Sequence, residues 1–336
     1  MGTIYFRVII FLCIMCCANC ILYSINIAKG PSEKDWKQYK LDYNKTYGSK
    51  EQEQNRHKIF KQNWNNIQKH NKRHAKGLET YLQEVNIFAD LTEKEFSDIY
   101  GLDESENITK YTQDVTVNKT KSYQNGTDQF WDWRDAGAVT AAQNQGHCGS
   151  CWVFCAVGLL ESYHFRKTKK LLDLSEQNIV DCHSKSSCSG GSPLLALQFV
   201  KKNGIHLESN YPYTGKQNDC ANVTVPPINI YFQNAYVVIG DDDELKEKIL
   251  KQGPLAVSVY ASSQWMFYKS GVWYHNQCSS ESNHCLLLIG YGSENGNDYW
   301  LFKNSWGRKW GEDGFIKIAR NRHENYCGID SGIHLQ

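Results

Sequence analysis

The sequence has little net charge, no long hydrophobic run beyond its first residues, no pair of CxxC motifs and no internal repeat. A formal net charge of +1 over 336 residues gives no field that would attract nucleic acid or a charged class of substrate. No later segment approaches the roughly 20 apolar residues that cross a bilayer. Cysteines without paired CxxC motifs favour disulfides over zinc. We therefore expect no nucleic-acid partner, no stable membrane anchor, no metal and no cofactor.

The first residues have the composition of a targeting segment. Arg7 precedes an apolar run over residues 8–18, and the small residues Ala18 and Cys20 lie near a possible cleavage point. This arrangement predicts a signal peptide over residues 1–20. A membrane anchor is the alternative, but an apolar run of about 11 residues is too short to span a bilayer.

Cysteine is absent from residues 21–146, whereas nine of the 13 cysteines lie from Cys148 onward. An odd number in a secreted chain suggests disulfides together with at least one free thiol. The polar stretch at residues 102–129 separates the two regions and is expected to be an exposed linker, which suits proteolytic removal of a pro-segment. The Asn-X-Thr glycosylation acceptors are Asn44, Asn107, Asn118, Asn125 and Asn222.

Residue periodicity predicts helices first and strands later. Residues 33–71 are helix-prone, and Thr92 begins a short helix to Tyr100 in which Glu95 closes a capping box. Further helices are predicted just after Cys151, at residues 174–181 with Ser175 as cap, and at residues 193–203. Strands are predicted at residues 235–239, 255–260, 285–291, 299–304 and 315–319. This order predicts an α+β fold with two lobes.

The strongest chemical signal is the segment Gln145-Gly-His-Cys-Gly-Ser-Cys-Trp152. A thiol attacks as its thiolate, and a helix N-terminus such as the one predicted at Cys151 favours negative charge. A nearby histidine could accept the proton and form an ion pair with the thiolate. By itself the Cys148-Gly-Ser-Cys151 motif would also fit a redox or metal site, so other motifs must decide.

Two further motifs supply that context. Asn283-His284-Cys285 precedes an apolar strand, and Asn304-Ser-Trp306-Gly is followed by Trp310-Gly. Together with the Cys151 segment they resemble the papain-like cysteine proteases, the cathepsin L branch most closely, from about residue 36 to the last residue. His284 and Asn304 follow Cys151 by 133 and 153 residues, near the spacing typical of that family.

The resemblance implies a role for each motif residue. Cys151 would be the nucleophile and His284 the base, with Asn304 orienting the imidazole and Trp306 shielding their hydrogen bond. The side-chain amide of Gln145 would join the backbone N–H of Cys151 as the oxyanion hole. Acyl transfer needs such donors because negative charge develops on the carbonyl oxygen.

The resemblance extends to the N-terminal part and implies the domain organisation. Residues Arg56, Phe60, Asn63, Ile67 and Asn71 match a helical motif of cathepsin L-type precursors, with Gln52 where Glu is usual. Residues Asn86, Phe88 and Asp90 match a second precursor motif, with Glu84 where Gly is usual. We therefore expect a helical inhibitory propeptide over residues 21–126. A papain-like catalytic domain would follow over residues 127–336, with a helical left lobe and a β-barrel-like right lobe.

The family pattern also implies which cysteines pair, a choice that sequence alone leaves open. The implied disulfides are Cys148–Cys188, Cys182–Cys220 and Cys278–Cys327. Cys155 and Cys285 stand where small residues are usual in the family. We expect them to be two buried free thiols, and a fourth disulfide is the alternative.

The substrate groove is expected to use the backbone of Gly190 and Gly191 to pair with an extended peptide. The main specificity pocket maps by resemblance onto Ser192, Pro193, Ala261, Cys285 and Gly332. None of these side chains is charged, so an apolar or aromatic residue is expected two positions before the cut bond. Trp306 would line the leaving-group side.

The sequence thus predicts a cysteine endopeptidase made as an inactive zymogen that loses its propeptide in acidic conditions. The expected partners are peptide and protein substrates, the chain's own propeptide and cystatin-type inhibitors, and the enzyme is expected to be a monomer in lysosomes or outside the cell. A non-catalytic papain-like binding protein is the alternative. An exopeptidase is disfavoured because no His-rich insertion follows Cys182.

Overall fold

The structure is a computed structural model that describes residues 30–100, 130–183, 187–275, 278, 282–320, 326–329 and 331–336. The predicted signal peptide, the polar linker and the acceptors Asn107, Asn118 and Asn125 lie outside the described residues. Asn44 and Asn222 lie within them and are exposed. Within the described ranges, no helix has the length and apolarity needed to cross a membrane. The same ranges hold no group of three or more His, Cys, Asp or Glu side chains placed to bind a metal ion.

The N-terminal unit, residues 30–100, contains three helices and one short strand. They are α1 (Glu33–Asp42), α2 (Lys50–His74), β1 (Tyr81–Gln83) and α3 (Glu93–Tyr100). The continuous helix-prone stretch predicted at residues 33–71 is therefore two helices. The chain turns at Asn44, which has a φ of 50°, a left-handed conformation that asparagine tolerates better than most residues. The capping box between Thr92 and Glu95 is confirmed, with the Thr92 N–H 2.8 Å from Glu95 Oε2.

An aromatic cluster and two polar contacts hold the N-terminal unit together. Phe60 on α2 is fully buried and packs on the rings of Trp36 and Tyr39 of α1. The buried carboxylate of Asp90 accepts hydrogen bonds from the hydroxyls of Tyr39 (2.8 Å) and Tyr47 (2.9 Å) and pairs with Lys45 (2.8 Å). The Arg56 guanidinium makes a two-pronged contact with Glu95, the capping residue of α3, at 2.7 and 2.8 Å.

Three helices form the first part of the remaining chain. They are α4 (Cys151–Thr168), α5 (Glu176–Cys182) and α6 (Pro193–Asn203). Ser175 caps α5 by accepting a hydrogen bond from the Asn178 N–H, as predicted. Pro193 occupies the first turn of α6, where its fixed φ suits the helix and its missing N–H costs nothing. We call residues 130–232 the helical part and residues 235–336 the sheet part.

The sheet contains nine strands of the described chain in the order β1-β5-β8-β7-β6-β4-β9-β3, with β2 paired to β6. The strands not yet given are β2 (Trp131–Asp132), β3 (Ala235–Ile239), β4 (Leu255–Val259), β5 (Tyr268–Trp273), β6 (His284–Glu294), β7 (Asn297–Lys303), β8 (Phe315–Ala319) and β9 (Ser331–Leu335). The five predicted strands are present, and β1, β2, β5, β9 and helix α7 (Asp242–Gln252) were missed. Helix α4 packs on β4 and β6 and so joins the helical part to the sheet part.

The N-terminal unit joins the sheet at its edge. Strand β1 pairs with β5 in antiparallel register, with Tyr81 opposite Gly271. Glycine is needed at that position because its φ is 89° and a Cβ would lie 2.7 Å from the carbonyl oxygen of Thr80. The buried Asn86 side chain donates to the carbonyl oxygen of Met266 at 2.7 Å. The precursor-type motif around Asn86 thus contacts the sheet part directly.

The described part of the chain contains four disulfides: Cys148–Cys188, Cys155–Cys285, Cys182–Cys220 and Cys278–Cys327. The expectation that Cys155 and Cys285 are free thiols is therefore wrong. Their Cα atoms lie 5.9 Å apart because α4 and β6 run side by side. Gly158 allows this approach, since a Cβ there would lie 3.0 Å from Cδ2 of Leu287 on β6.

Candidate active site

Cys151 is the first residue of α4 and the free cysteine of the described chain. Its N-cap, Ser150, makes no side-chain capping hydrogen bond. Burial raises the pKa of the Cys151 thiol to about 11, and the backbone N–H of Cys285 acts to lower it. The full chain therefore holds Cys151 as a protonated thiol, although the helix N-terminus and the Cys285 N–H both favour the thiolate.

His284 begins β6 and is fully buried. Its Nε2 lies 2.9 Å from Oδ1 of Asn304, and that oxygen also accepts the Ser305 N–H at 2.7 Å. An atom that accepts a backbone N–H must be the amide oxygen, so Nε2 carries the proton and Nδ1 carries the lone pair. Nδ1 is buried without a hydrogen-bond partner. Burial lowers the pKa of His284 to about 4, and the Asn304 hydrogen bond opposes that shift.

Ser305 links Asn304 to Gln145. The Ser305 hydroxyl donates to Oε1 of Gln145 at 2.6 Å, and the Gln145 N–H in turn donates to the Ser305 carbonyl oxygen at 2.8 Å. With Oε1 fixed as the acceptor, the Gln145 side-chain NH₂ must point the other way, and it donates to the Cys148 carbonyl oxygen at 3.0 Å. The network fixes the orientation of the buried Gln145 side-chain amide. Gln145 precedes the Cys148-Gly-Ser-Cys151 segment by three residues. Sequence reasoning missed Ser305, although it lies inside the Asn304 motif.

Trp306 covers the His284–Asn304 pair from one side. Its ring stacks on the His284 imidazole with centroids 5.2 Å apart and an interplanar angle of 29°. Two rings of the N-terminal unit, Phe96 at 5.1 Å and Tyr100 at 5.0 Å, pack on the same indole. Sequence reasoning did not single out Phe96 and Tyr100, which share one face of α3 at a spacing of four residues. Helix α3 is thus docked directly over the site.

Close backbone approaches shape the wall beside Cys151. The Gly149 N–H donates to the Cys188 carbonyl oxygen at 2.9 Å, and a Cβ on Gly149 would lie 2.7 Å from that oxygen. A Cβ on Gly191 would lie 2.5 Å from the Trp152 ring. Gly190 is exposed, with a φ of 98°. The strand-like segment around Gly190 therefore runs beside the start of α4 with its backbone accessible.

The residues mapped to the specificity pocket fall on both parts of the molecule. Ser192 and Pro193 begin α6 in the helical part, whereas Cys285 and Gly332 lie on β6 and β9 of the sheet part. Ala261 follows β4, and its N–H donates to the Asn283 side chain at 2.7 Å, next to His284. None of the five mapped residues has a charged side chain. All five are buried in the full chain, so they present no exposed polar surface.

A family model described as the papain family cysteine protease matches residues 127–336. The chain is a papain-family cysteine protease. A second model, the cathepsin propeptide inhibitor domain (I29), matches residues 36–96, which lie in the N-terminal unit. The protease is therefore a zymogen whose propeptide is the unit that docks on the sheet and covers Trp306.

Relatives narrow the family to its cathepsin L branch. The protease is 42% identical over 312 residues to a cathepsin L-like peptidase of Aedes aegypti, covering 88% of this chain and 91% of that one. It is 40% identical over 319 residues to cathepsin L1 of Drosophila melanogaster, covering 89% and 83%. Its fold matches the digestive procathepsin L 3 of Tenebrio molitor larval midgut with a TM-score of 0.80 at 33% identity, covering 90% of this chain and 98% of that one. The protein is a cathepsin L-like cysteine endopeptidase, and its disulfides and relatives indicate the secretory pathway.

The burial of Cys151 predicts low reactivity in the zymogen. With a pKa of about 11, only about one thiol in a thousand is ionised at pH 8. Iodoacetamide should therefore label Cys151 at least about 100-fold more slowly in the zymogen than in the processed enzyme, as followed by peptide mass mapping. Phe96→Ala, which removes a ring over Trp306, should speed labelling of the zymogen, whereas Leu41→Ala, at an exposed site on α1, should not. Equal labelling rates in the zymogen and the processed enzyme would contradict the occlusion.

Proposed function

We propose that Cys151 and His284 cut peptide bonds as a thiolate–imidazolium pair. The observation that carries this proposal is the buried His284, which has Nε2 held by Asn304 at 2.9 Å and Nδ1 left with a lone pair. The one free cysteine of the described chain lies at the N-terminus of α4, and a disulfide joins this helix to Cys285, the residue after His284. Asn304 orients the imidazole through its hydrogen bond, and Trp306 covers one face of the ring. A histidine fixed through one ring nitrogen can exchange protons through the other.

The reaction proceeds in two acyl-transfer steps. The Cys151 thiolate attacks the carbonyl carbon of the substrate, and the carbonyl oxygen becomes an oxyanion. His284 then gives its proton to the leaving amine, which departs and leaves a thioester on Cys151. His284 next takes a proton from water, the hydroxide attacks the thioester, and the acid product leaves as Cys151 is restored. Each proton that His284 gives is recovered, so the enzyme is unchanged.

Gln145 and the Cys151 backbone N–H stabilise the oxyanion. The Gln145 side-chain nitrogen has two protons, one of which meets the Cys148 carbonyl oxygen, so the second remains for the oxyanion. The Ser305 hydroxyl holds the amide in this orientation. Donors that are fixed before the reaction need no reorganisation as charge develops, which is why such sites typically contribute about 2.7–4 kcal/mol per donor.

The propeptide inhibits by keeping the pair dry and neutral. Burial raises the pKa of Cys151 to about 11 and lowers that of His284 to about 4. Both shifts oppose the transfer of a proton from sulfur to imidazole. Removal of α3 from Trp306 admits water and the substrate, and the two charges then stabilise each other.

Mild acid releases the propeptide by protonating groups whose charged form is disfavoured while the propeptide is folded. Burial lowers the pKa of His70 below its ordinary 6.5, and the Tyr81 carbonyl oxygen and Glu79 oppose the shift. His70 Nε2 donates to that carbonyl at 2.9 Å, on the strand that pairs with β5. A histidine whose pKa is lower in the folded state contributes stability that is present above pH 6.5 and is lost as the pH falls below it.

The acidic side chains of the propeptide respond differently from His70. The Arg56 pair lowers the pKa of Glu95 to about 2, so the stability that this pair contributes is lost only between about pH 4.5 and pH 2 and survives mild acid.

An extended peptide lies along Gly190 and Gly191 and pairs with their backbone as an added strand. Its second residue before the cut bond enters the pocket formed by Ser192, Pro193, Ala261, Cys285 and Gly332, where an apolar side chain loses least solvation. Trp306 lines the leaving-group side once α3 has left. Cystatin-type inhibitors would occupy the same groove.

The proposed processing removes residues 1–20 as a signal peptide and residues 21–126 as the propeptide, leaving residues 127–336 as a monomeric enzyme. The mature enzyme acts in lysosomes or outside the cell. The exposed acceptors Asn44 and Asn222 are open to glycosylation along either route.

Substitutions at the site should separate the roles of its residues. Cys151→Ala should abolish turnover of an internally quenched peptide because no nucleophile remains. His284→Ala should lower kcat/KM by about four orders of magnitude or more, and Asn304→Ala by a smaller factor since it exchanges no proton. Circular dichroism controls for folding. A more active His284→Ala than Asn304→Ala enzyme, at equal folding, would reverse the roles.

Acid conversion of the zymogen should depend on His70. His70→Gln keeps an N–H for the Tyr81 carbonyl oxygen but cannot titrate, so the pH midpoint of conversion should fall by about half a unit. Conversion is followed by activity and by N-terminal sequencing of the product. Lys58→Gln, at an exposed position on the same helix, is the matched control and should keep the wild-type midpoint. Full activity of the uncleaved chain at neutral pH would refute the inhibitory role.

A substrate library should show the pocket's preference. We expect Leu, Phe or Val two residues before the cut bond to give kcat/KM at least about tenfold higher than Arg or Glu. The same library incubated with Cys151→Ala protein reveals any contaminating protease. A profile led by Arg or Glu would mean that the pocket has been mapped onto the wrong residues.

A further inference from the structure

The Cys155–Cys285 disulfide differs from the other three in what it joins. Cys148–Cys188 and Cys182–Cys220 lie within the helical part, and Cys278–Cys327 lies within the sheet part, with sequence separations of 40, 38 and 49. Cys155–Cys285 spans 130 residues and connects the two parts. Of the disulfides in the described chain, it alone fixes the position of one part relative to the other.

This disulfide lies beside both reacting residues. Cys155 follows Cys151 by one turn of α4, and Cys285 follows His284 directly on β6. Cys155 and Cys285 are each only 2% exposed. The helix that presents the sulfur and the strand that presents the imidazole are therefore covalently joined within one turn and one residue of those groups.

The Cys285 backbone is itself part of the nucleophile's surroundings. Its N–H acts to lower the pKa of the Cys151 thiol, and the Cys155–Cys285 disulfide ties this residue to the helix that carries that thiol. A donor stabilises the thiolate only while it stays within hydrogen-bonding distance and alignment. Movement of β6 away from α4 would weaken this contact and would also separate His284 from Cys151.

One other contact between α4 and β6, that of Gly158 with Leu287, is apolar and lies further from the site. Gly158 meets Leu287 one further turn along the helix and two residues along the strand. Such packing excludes water but does not fix the register of two surfaces as a covalent bond does. The disulfide thus restrains the end of the α4–β6 contact at which the chemistry takes place.

We propose that Cys155 and Cys285 are positioning residues whose disulfide keeps the Cys151 sulfur aligned with the Cys285 N–H and with His284. This proposal rests on the proposed function of Cys151 and His284. The disulfide takes no part in the reaction itself. Its contribution is to kcat and to thiolate formation, because it holds the reacting groups in place.

The test compares two variants that each lose one disulfide. Cys155→Ala with Cys285→Ala removes the link between the two parts, and Cys182→Ala with Cys220→Ala removes a link inside the helical part. Each processed enzyme is titrated with a covalent epoxide inhibitor, so that kcat refers to active sites only. The pH dependence of iodoacetamide labelling at Cys151 gives the ionisation of the thiol.

The Cys155/Cys285 variant should lose between about tenfold and 100-fold in kcat. Because Cys285 also lines the mapped specificity pocket, KM is not used to judge the outcome. The acid limb of its labelling profile should move to higher pH by about half a unit or more, since a weakened N–H donor stabilises the thiolate less. The Cys182/Cys220 variant should lose thermal stability but keep kcat within about twofold and keep the labelling profile.

Equal kcat values and equal labelling profiles in the two variants would overturn the proposal and leave the disulfide a purely structural cross-link. Failure of the proposed function would look different, because wild-type Cys151 would then resist labelling or the Cys151→Ala enzyme would stay active. If the double-alanine chain does not fold, the variant Cys155→Val with Cys285→Ala restores part of the side-chain volume lost with the disulfide. The same measurements are then made on that variant. Non-reducing peptide mapping of the wild-type enzyme must also yield the linked Cys155 and Cys285 peptides, and free thiols at both positions would overturn the proposal.

Discussion

The contact between the start of α4 and the start of β6 is the constraint on which the site depends. The helix contributes Cys151 at its N-terminus, and the strand contributes His284 and the N–H of Cys285. The two elements are separated by more than 100 residues of chain, so only tertiary packing can bring them together. Gly158 allows that packing because any side chain there would meet Leu287. Asn304 and Trp306 follow β7, the neighbour of β6, and so reach the imidazole from the adjacent strand.

Trp306 connects catalysis to inhibition through a single ring. Its indole stacks on His284, and the same indole receives Phe96 and Tyr100 of the propeptide. The rings of α3 therefore cover this face of the site in the full chain. In the full chain, burial raises the pKa of Cys151 and lowers that of His284, because each charged form loses its solvation. On the function proposed above, the docked propeptide inhibits both by steric occlusion and by this electrostatic penalty.

The sequence predicted features that depend on short-range signals better than those that depend on distant contacts. The caps at Thr92 and Ser175 and the start of α6 at Pro193 were predicted correctly because each is set within a few residues. Helix α7 carried a comparable signal, a capping box between Asp241 and Glu244, that was overlooked. Strand β1 has only three residues and forms by pairing with β5, which lies far along the chain. The Cys155–Cys285 disulfide depends on the α4–β6 contact, so no local pattern could have predicted it.

Two kinds of charged contact in the propeptide have opposite consequences for acid activation. The Arg56–Glu95 pair is strong, and its strength lowers the pKa of Glu95 to about 2, so the pair keeps its charge through mild acid and cannot sense it. His70 is neutral and partly desolvated, and protonation below its ordinary pKa of 6.5 works against the folded unit. His284 has a pKa near 4 in the zymogen, so at pH 5 it is still mostly neutral. We therefore propose that mild acid acts on the docking of β1 before it acts on the catalytic pair, and that the pair gains its charges only after the propeptide has left.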